Sequence, residues 1–144
     1  MKKNLFFICL LVLGAFASCH SGSPKKETGD AVANEVKVPV PLGDPFIMLC
    51  DGVYYAYGTH SAEGIEVYTS DDLLTWKYKG LALNKKDSWA DRWFWAPEIY
   101  AVNGKYYMYY SADEHICVAV ADSPTGPFVQ AKKEPMIADE KCID

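Results

Sequence analysis

DPFIMLCDGVYYAYGTH, residues 44–60, recurs as APEIYAVNGKYYMYYSA, residues 96–112, with Pro45 matching Pro97 and Gly52 matching Gly104 at one and the same offset. Each copy runs on into a third apolar alternation and a turn: IEVYTSDDLLTW (Ile65–Trp76) in the first, ICVAVADSPTGPF (Ile116–Phe128) in the second. Asp51-Gly52 and Asn103-Gly104 each divide two apolar runs, and both residue types in each pair tolerate positive φ, so each is a hairpin signal. A repeat of roughly 40–50 residues with about four short strands is the signature of a β-propeller blade, a unit that cannot bury both faces until neighbours stack on it. The expected fold class is therefore all-β and a β-propeller.

In the first unit, strands are expected near 46–50, 53–58, 65–69 and 77–83; in the second, near 98–102, 105–111, 116–121 and 128–131. Ser70, Asp71 and Trp76 repeat as Ala121, Asp122 and Phe128, which marks them as turn and packing residues. Blade one covers about 44–83 and blade two about 93–131; repeat phase puts a third unit at about residue 148, and its start is placed at 142–144, close to that position. Propellers close with about four to eight blades, so the sequence reads as two blades and the start of a third.

The composition, 50% hydrophobic and 14% aromatic, supplies a core. Ten Tyr, four Trp and six Phe, gathered mainly after residue 44, suit strands and also suit a carbohydrate site, where rings stack on sugars. The formal charge is −5, and Lys and Arg cluster no further than short pairs such as Lys25-Lys26, Lys85-Lys86 and Lys132-Lys133, which argues against a nucleic-acid partner. Lys2 and Lys3, the apolar run Leu5–Leu13 and the small residues Ala17 and Ser18 form an export signal over 1–18. Small residues just before Cys19 resemble a bacterial lipobox, which implies an exported, periplasmic or outer-membrane lipoprotein lipidated at Cys19, touching the membrane through that anchor only. Phe16 stands where an aliphatic residue is usual, and ordinary cleavage is the alternative. Residues 19–40 read as a flexible tether ahead of a domain at 41–144. Cys50, Cys117 and Cys142 have no metal spacing and read as buried strand residues with at most one disulfide.

Innermost propeller strands all start at one rim of the central cavity. Asp44 holds that position in the first unit and Asp144 lies close to it in the third, so the two are expected to face one cavity. Paired carboxylates are the raw material of glycoside hydrolysis, one group activating water while another protonates the leaving oxygen. Taken alone, an Asp-Pro step is just as well the start of a turn.

GDPF (43–46), SDDLLTW (70–76), FWAPEI (94–99), GKYYMYYS (104–111), ADSPTGPF (121–128) and the final Ile143-Asp144 together resemble the N-terminal part of glycoside hydrolase family 43. The resemblance implies a five-bladed propeller that hydrolyses arabinose-, xylose- and sometimes galactose-containing glycans with inversion, so the implied partners are oligosaccharides or polysaccharide side chains. It implies that Asp44 is the general base and Asp144 the aspartate that raises the pKa of the acid and orients it. The acid itself is a glutamate at the start of the fourth blade, which these residues do not reach; Glu98, inside APEI, does not take its place. Trp95 and Ala96 are implied to line the subsite of the terminal sugar, and His60 to sit where an aromatic ring often contacts that sugar. From the residues alone, Trp95 is equally a wedge between blades and His60 a solvated loop residue. No cofactor or metal ligand set is visible, and the cation that some relatives hold on the propeller axis would be bound by other blades. The expectation is thus a glycosidase module, inactive by itself for want of the acid; a non-catalytic propeller fragment binding glycans or proteins is the alternative.

Overall fold

The computed structural model describes residues 35–37, 40–138 and 141–143. The export signal, Cys19, most of the expected tether and Asp144 lie outside the described residues. Two antiparallel sheets stand side by side. The first has β1 (Glu35–Lys37), β2 (Gly43–Cys50), β3 (Val53–Thr59), β4 (Gly64–Ser70) and β5 (Thr75–Asn84) in the order β1-β5-β4-β3-β2. The second has β6 (Trp95–Val102), β7 (Lys105–Ala112) and β8 (His115–Ala121) in that order.

The repeat is realised strand for strand through the first three strands of each unit. Cys50 pairs with Val53 and Val102 with Lys105 across two-residue loops, whose residues all have positive φ: +49° and +79° at Asp51 and Gly52, +49° and +75° at Asn103 and Gly104. That geometry matches the right-handed twist of the flanking strands. After β4 the chain reverses around two side chains. Ser70 Oγ accepts from the amides of Asp72 and Leu73, and Asp72 Oδ1 accepts from those of Leu74 and Thr75 at 2.8 and 2.7 Å. Those backbone donors hold the Asp72 carboxyl below the usual carboxylate range. Asp71 lies in this turn as expected, and Asp72 supplies the carboxylate that ties it.

Three expectations are corrected. Residues 35–37 pair with β5 as a fifth strand, so this part of the expected 19–40 tether belongs to the sheet. Residues 128–131 do not form a fourth strand of the second unit. Pro124 and Pro127 offer no amide there, the Phe128 amide donates to Ala82 O of the first sheet at 2.7 Å, and the Gln130 amide goes to Asp87 O at 2.9 Å. Only Val129 stays paired with the second sheet, through Val120. Lastly, not all three described cysteines are buried strand residues: only Cys117 is buried, Cys50 is half-buried on β2, and Cys142 lies outside any strand; all three are free, within the expected limit of one disulfide.

Residues 124–130 therefore clasp the two sheets together. Gly126 passes so close to β5 that a Cβ there would stand 2.4 Å from Ala82 O. Phe128 is fully buried, with the ring of Tyr57 edge-on to it at 6.5 Å. The Tyr57 hydroxyl donates to Pro124 O at 2.6 Å, and burial pushes that phenol well above its ordinary pKa. Ile65, Val67 and Leu83 from the first sheet and Ile99, Met108 and Ala119 from the second complete one shared core. The two inner strands, β2 and β6, lie against each other. The opposite face of the second sheet is open: Tyr109, the repeat counterpart of the fully buried Tyr57, is 37% exposed, and Tyr100 and Val102 are exposed beside it.

The clasp predicts a sharp contrast between adjacent positions. Phe128→Ala should lower unfolding free energy in urea by about 3–5 kcal/mol, whereas Val129→Ala, at an exposed position, should change it by no more than about 0.5 kcal/mol. Equal effects at the two positions would mean that Phe128 does not join the sheets.

Candidate active site

Both inner strands carry the same irregularity at their start. Gly43 pairs with Thr59 and Phe46 with Tyr57, so Asp44 and Pro45 together face one residue of β3; Trp95 pairs with Ser111 and Glu98 with Tyr109, so Ala96 and Pro97 do the same against β7. These are β-bulges, which bend a strand and re-aim a side chain. Asp44 and Ala96 each have φ of +44°, uncommon for residues other than glycine, and each precedes a proline that restricts it further. Trp93, Asp113 and Glu114 also have positive φ and lie at this end of the second sheet. Unfavourable backbone of this kind is held in place by its surroundings and gathers at functional sites.

The two bulges open into one cavity of about 420 Å³, lined by Asp44, Pro45 and Phe46 from β2, Ala96, Pro97 and Glu98 from β6, and Tyr109, Tyr110, Ser111 and Ile116 from the β7–β8 hairpin. The Asp44 side chain is exposed to it and accepts no hydrogen bond from another described residue, leaving both oxygens open to solvent or ligand. Glu98 shares the cavity, but its Oε2 accepts from Tyr100 at 2.7 Å, which raises the pKa of that phenol. A larger cavity of 610 Å³ lies at the other end of the first sheet, where Asp72 and Ser70 are engaged in the turn already described. Asp71, which also lines it, is exposed and accepts no hydrogen bond from another described residue.

Of the expected site residues, Asp44 and Ala96 are thus brought together. Trp95 begins β6 at the same rim, its ring stacked on Trp93 at 6.0 Å and 6° between planes, though it does not line the cavity. His60 follows β3 directly beyond Thr59, the partner of Gly43, and is likewise outside the cavity lining; its Nδ1 lies 3.2 Å from Glu66 Oε2. Asp144 is not among the described residues. The residues before it are tied to the β7–β8 turn, with the Cys142 amide on Glu114 O at 2.7 Å and Lys141 paired with Glu114 at 2.6 Å.

Tyr110 and Ser111 are cavity residues that sequence reading missed. Tyr110 is buried, stacked on Phe94, and bonded through its hydroxyl to Ser88 Oγ at 2.8 Å and Gln130 Oε1 at 3.0 Å. Gln130 Oε1 also accepts from the Trp89 amide, so one polar group ties the 85–95 connection to the clasp beneath the cavity. In the sequence both residues sit in the regular alternation of GKYYMYYS, which signals strand and core alike.

The chain matches the description "Glycosyl hydrolases family 43" over residues 36–144. It belongs to that family. A xylosidase/arabinosidase of Bacteroides ovatus is 33% identical over 61% of this chain and 34% of its own length. An extracellular endo-α-(1→5)-L-arabinanase of Thermotoga petrophila is 31% identical over 59% of this chain and 22% of its own. Among solved structures, an endo-1,4-β-xylanase from Bacteroides thetaiotaomicron superposes with a TM-score of 0.69 at 49% identity, covering 72% of this chain and 37% of that one. The two sheets are accordingly blades of the family 43 propeller, and the matched region spans between 22% and 37% of the length of these three relatives.

Proposed function

We propose that this chain supplies the base half of an inverting glycosidase site acting on arabinose- or xylose-containing glycans, with galactose-containing glycans a further substrate class. The observation that carries the reading is the asymmetry of the two bulges. The same left-handed backbone presents a carboxylate at Asp44 and only a methyl at Ala96, so the carboxylate is not a requirement of the bulge. An unpartnered carboxylate at a cavity mouth is suited to take a proton from water as that water attacks the anomeric carbon. Ala96 leaves room for the sugar, and Trp95 and His60 flank it at the rim. Asp144 tunes the acid. The family 43 likeness gives the general acid to a glutamate of a further blade, and Glu98, the other described carboxylate at this cavity, has its Oε2 engaged by Tyr100.

Residues 1–144 expressed alone should show no measurable release of arabinose or xylose from aryl glycosides, while the chain extended through a complete propeller should turn over. Lack of acid assistance alone removes about 10²- to 10⁴-fold. Robust turnover by residues 1–144 contradicts the assignment of the acid to another blade; an inactive extended protein contradicts the glycosidase reading itself.

The export reading rests on Lys2, Lys3, the apolar run and the Ala17-Ser18-Cys19 sequence, and agrees with the extracellular designation of the Thermotoga relative. Mass spectrometry of protein from the native host should find a diacylglycerol-modified Cys19 as the first residue. An unmodified peptide running through Ser18 and Cys19 would count against it.

A further inference from the structure

Trp93 combines features that core packing does not require. It is 44% exposed, its φ is +56°, and its indole is stacked nearly parallel on Trp95. Positive φ is uncommon for an aromatic residue, and a ring held that way needs restraint from outside its own backbone. Arg92 and Asp113 provide it. The Arg92 Nε and a terminal guanidinium nitrogen lie 2.9 and 2.8 Å from Asp113 Oδ1, and the Asp113 amide donates to Arg92 O at 3.1 Å. Side chain and main chain of the two residues are thus locked together, with Asp113 itself in left-handed backbone. From that anchor the Arg92 guanidinium reaches over the Trp93 ring, 4.4 Å from its centroid, a cation–π contact.

We propose that Asp113, Arg92 and Trp93 form a positioning stack that fixes the plane of Trp95, so that the Trp95 ring is a preset platform for the apolar face of the terminal sugar. This rests on the carbohydrate reading above and adds to it the residues that hold the platform. Trp95 is the first residue of β6 and pairs with Ser111, next to the bulge that places Ala96 on the cavity. Its backbone is therefore fixed by the sheet while its ring, half-buried at the rim, has Trp93 as its recorded ring partner. A platform left free to rotate would lose side-chain entropy each time a sugar bound; one already stacked does not, which is the advantage of preorganisation. Trp93 touches no reacting atom in this scheme. Its removal should weaken binding of the sugar equally in the ground and transition states, raising KM and sparing kcat.

The test uses the chain extended through a complete propeller, with aryl xyloside and aryl arabinoside as probes. Trp93→Ala should raise KM by about 3- to 10-fold, the range an aromatic contact carries, with kcat within about twofold of the parent. Trp93→Phe, which keeps a stackable ring, should recover most of the loss, and Arg92→Gln, which leaves both indoles in place, should fall between. Unchanged KM in Trp93→Ala overturns the stack, as does a loss in kcat at fixed KM. If Trp93→Ala fails to fold, Arg92→Gln decides: parent-like KM in that variant overturns the proposal. If the parent itself releases neither sugar, the glycosidase reading has failed and the platform with it, an outcome distinct from an active parent whose kinetics ignore Trp93.

Discussion

Neither sheet of this protein can bury its own apolar face, and the contact between them is what the rest of the structure depends on. Tyr57 and Phe128 meet at its centre, both fully buried, with the Tyr57 hydroxyl satisfied by Pro124 O and the Phe128 amide by Ala82 O. Apolar burial supplies the driving force there, and the hydrogen bonds remove the penalty that two polar groups would otherwise carry into a dry interior. The same clasp fixes the site from below. It delivers Gln130 to Tyr110 and to the Trp89 amide, and through them sets the floor of the cavity that Asp44 faces. The inner strands come together as a consequence, with their bulged starts at one rim.

Repetition and departure from repetition have separate physical meanings here. The Asx-Gly hairpins and the bulges before Pro45 and Pro97 recur because they are backbone solutions, needed wherever a strand must turn or bend. Asp44 against Ala96 and Tyr57 against Tyr109 do not match in chemistry or in burial, and those differences mark what each blade is for. Tyr57 is buried by the second sheet, whereas Tyr109, Tyr100 and Val102 present an open apolar face in the corresponding place. The chain spans only part of the length of its family relatives, and in a propeller an apolar face of this kind is the one a neighbouring blade covers.

Much of this was legible in the sequence because it depends on local signals. The two Asx-Gly turns and the period-two alternation gave the first three strands of each unit, and the position of Asp44 at the start of the first pointed to the rim. The fourth strand of the second unit was not legible, because alternation through Phe128 cannot show that the Phe128 and Gln130 amides are claimed by Ala82 and Asp87, distant in sequence. The part Asp72 plays in the turn was not legible, because either aspartate of SDDLLTW can cap it, and only backbone geometry selects one. Tyr110 was hidden for a similar reason. A tyrosine in a strand reads as core until its hydroxyl is seen bonded to Ser88 and Gln130. The Trp93–Trp95 stack was not legible, because its parallel geometry goes with the Arg92–Asp113 pair, whose members are distant in sequence.

The central claim, that Asp44 activates water for attack from the face opposite the leaving group, is tested most directly by chemical rescue in the complete propeller. Asp44→Gly removes the carboxylate while leaving a residue at ease with a φ of +44°. Azide is an anionic nucleophile that needs no base, and the general acid remains in place to protonate the departing oxygen. The account predicts that azide restores turnover to the Asp44→Gly variant and that proton NMR shows a glycosyl azide of inverted anomeric configuration. A folded variant that azide does not rescue, or a product of retained configuration, would contradict it.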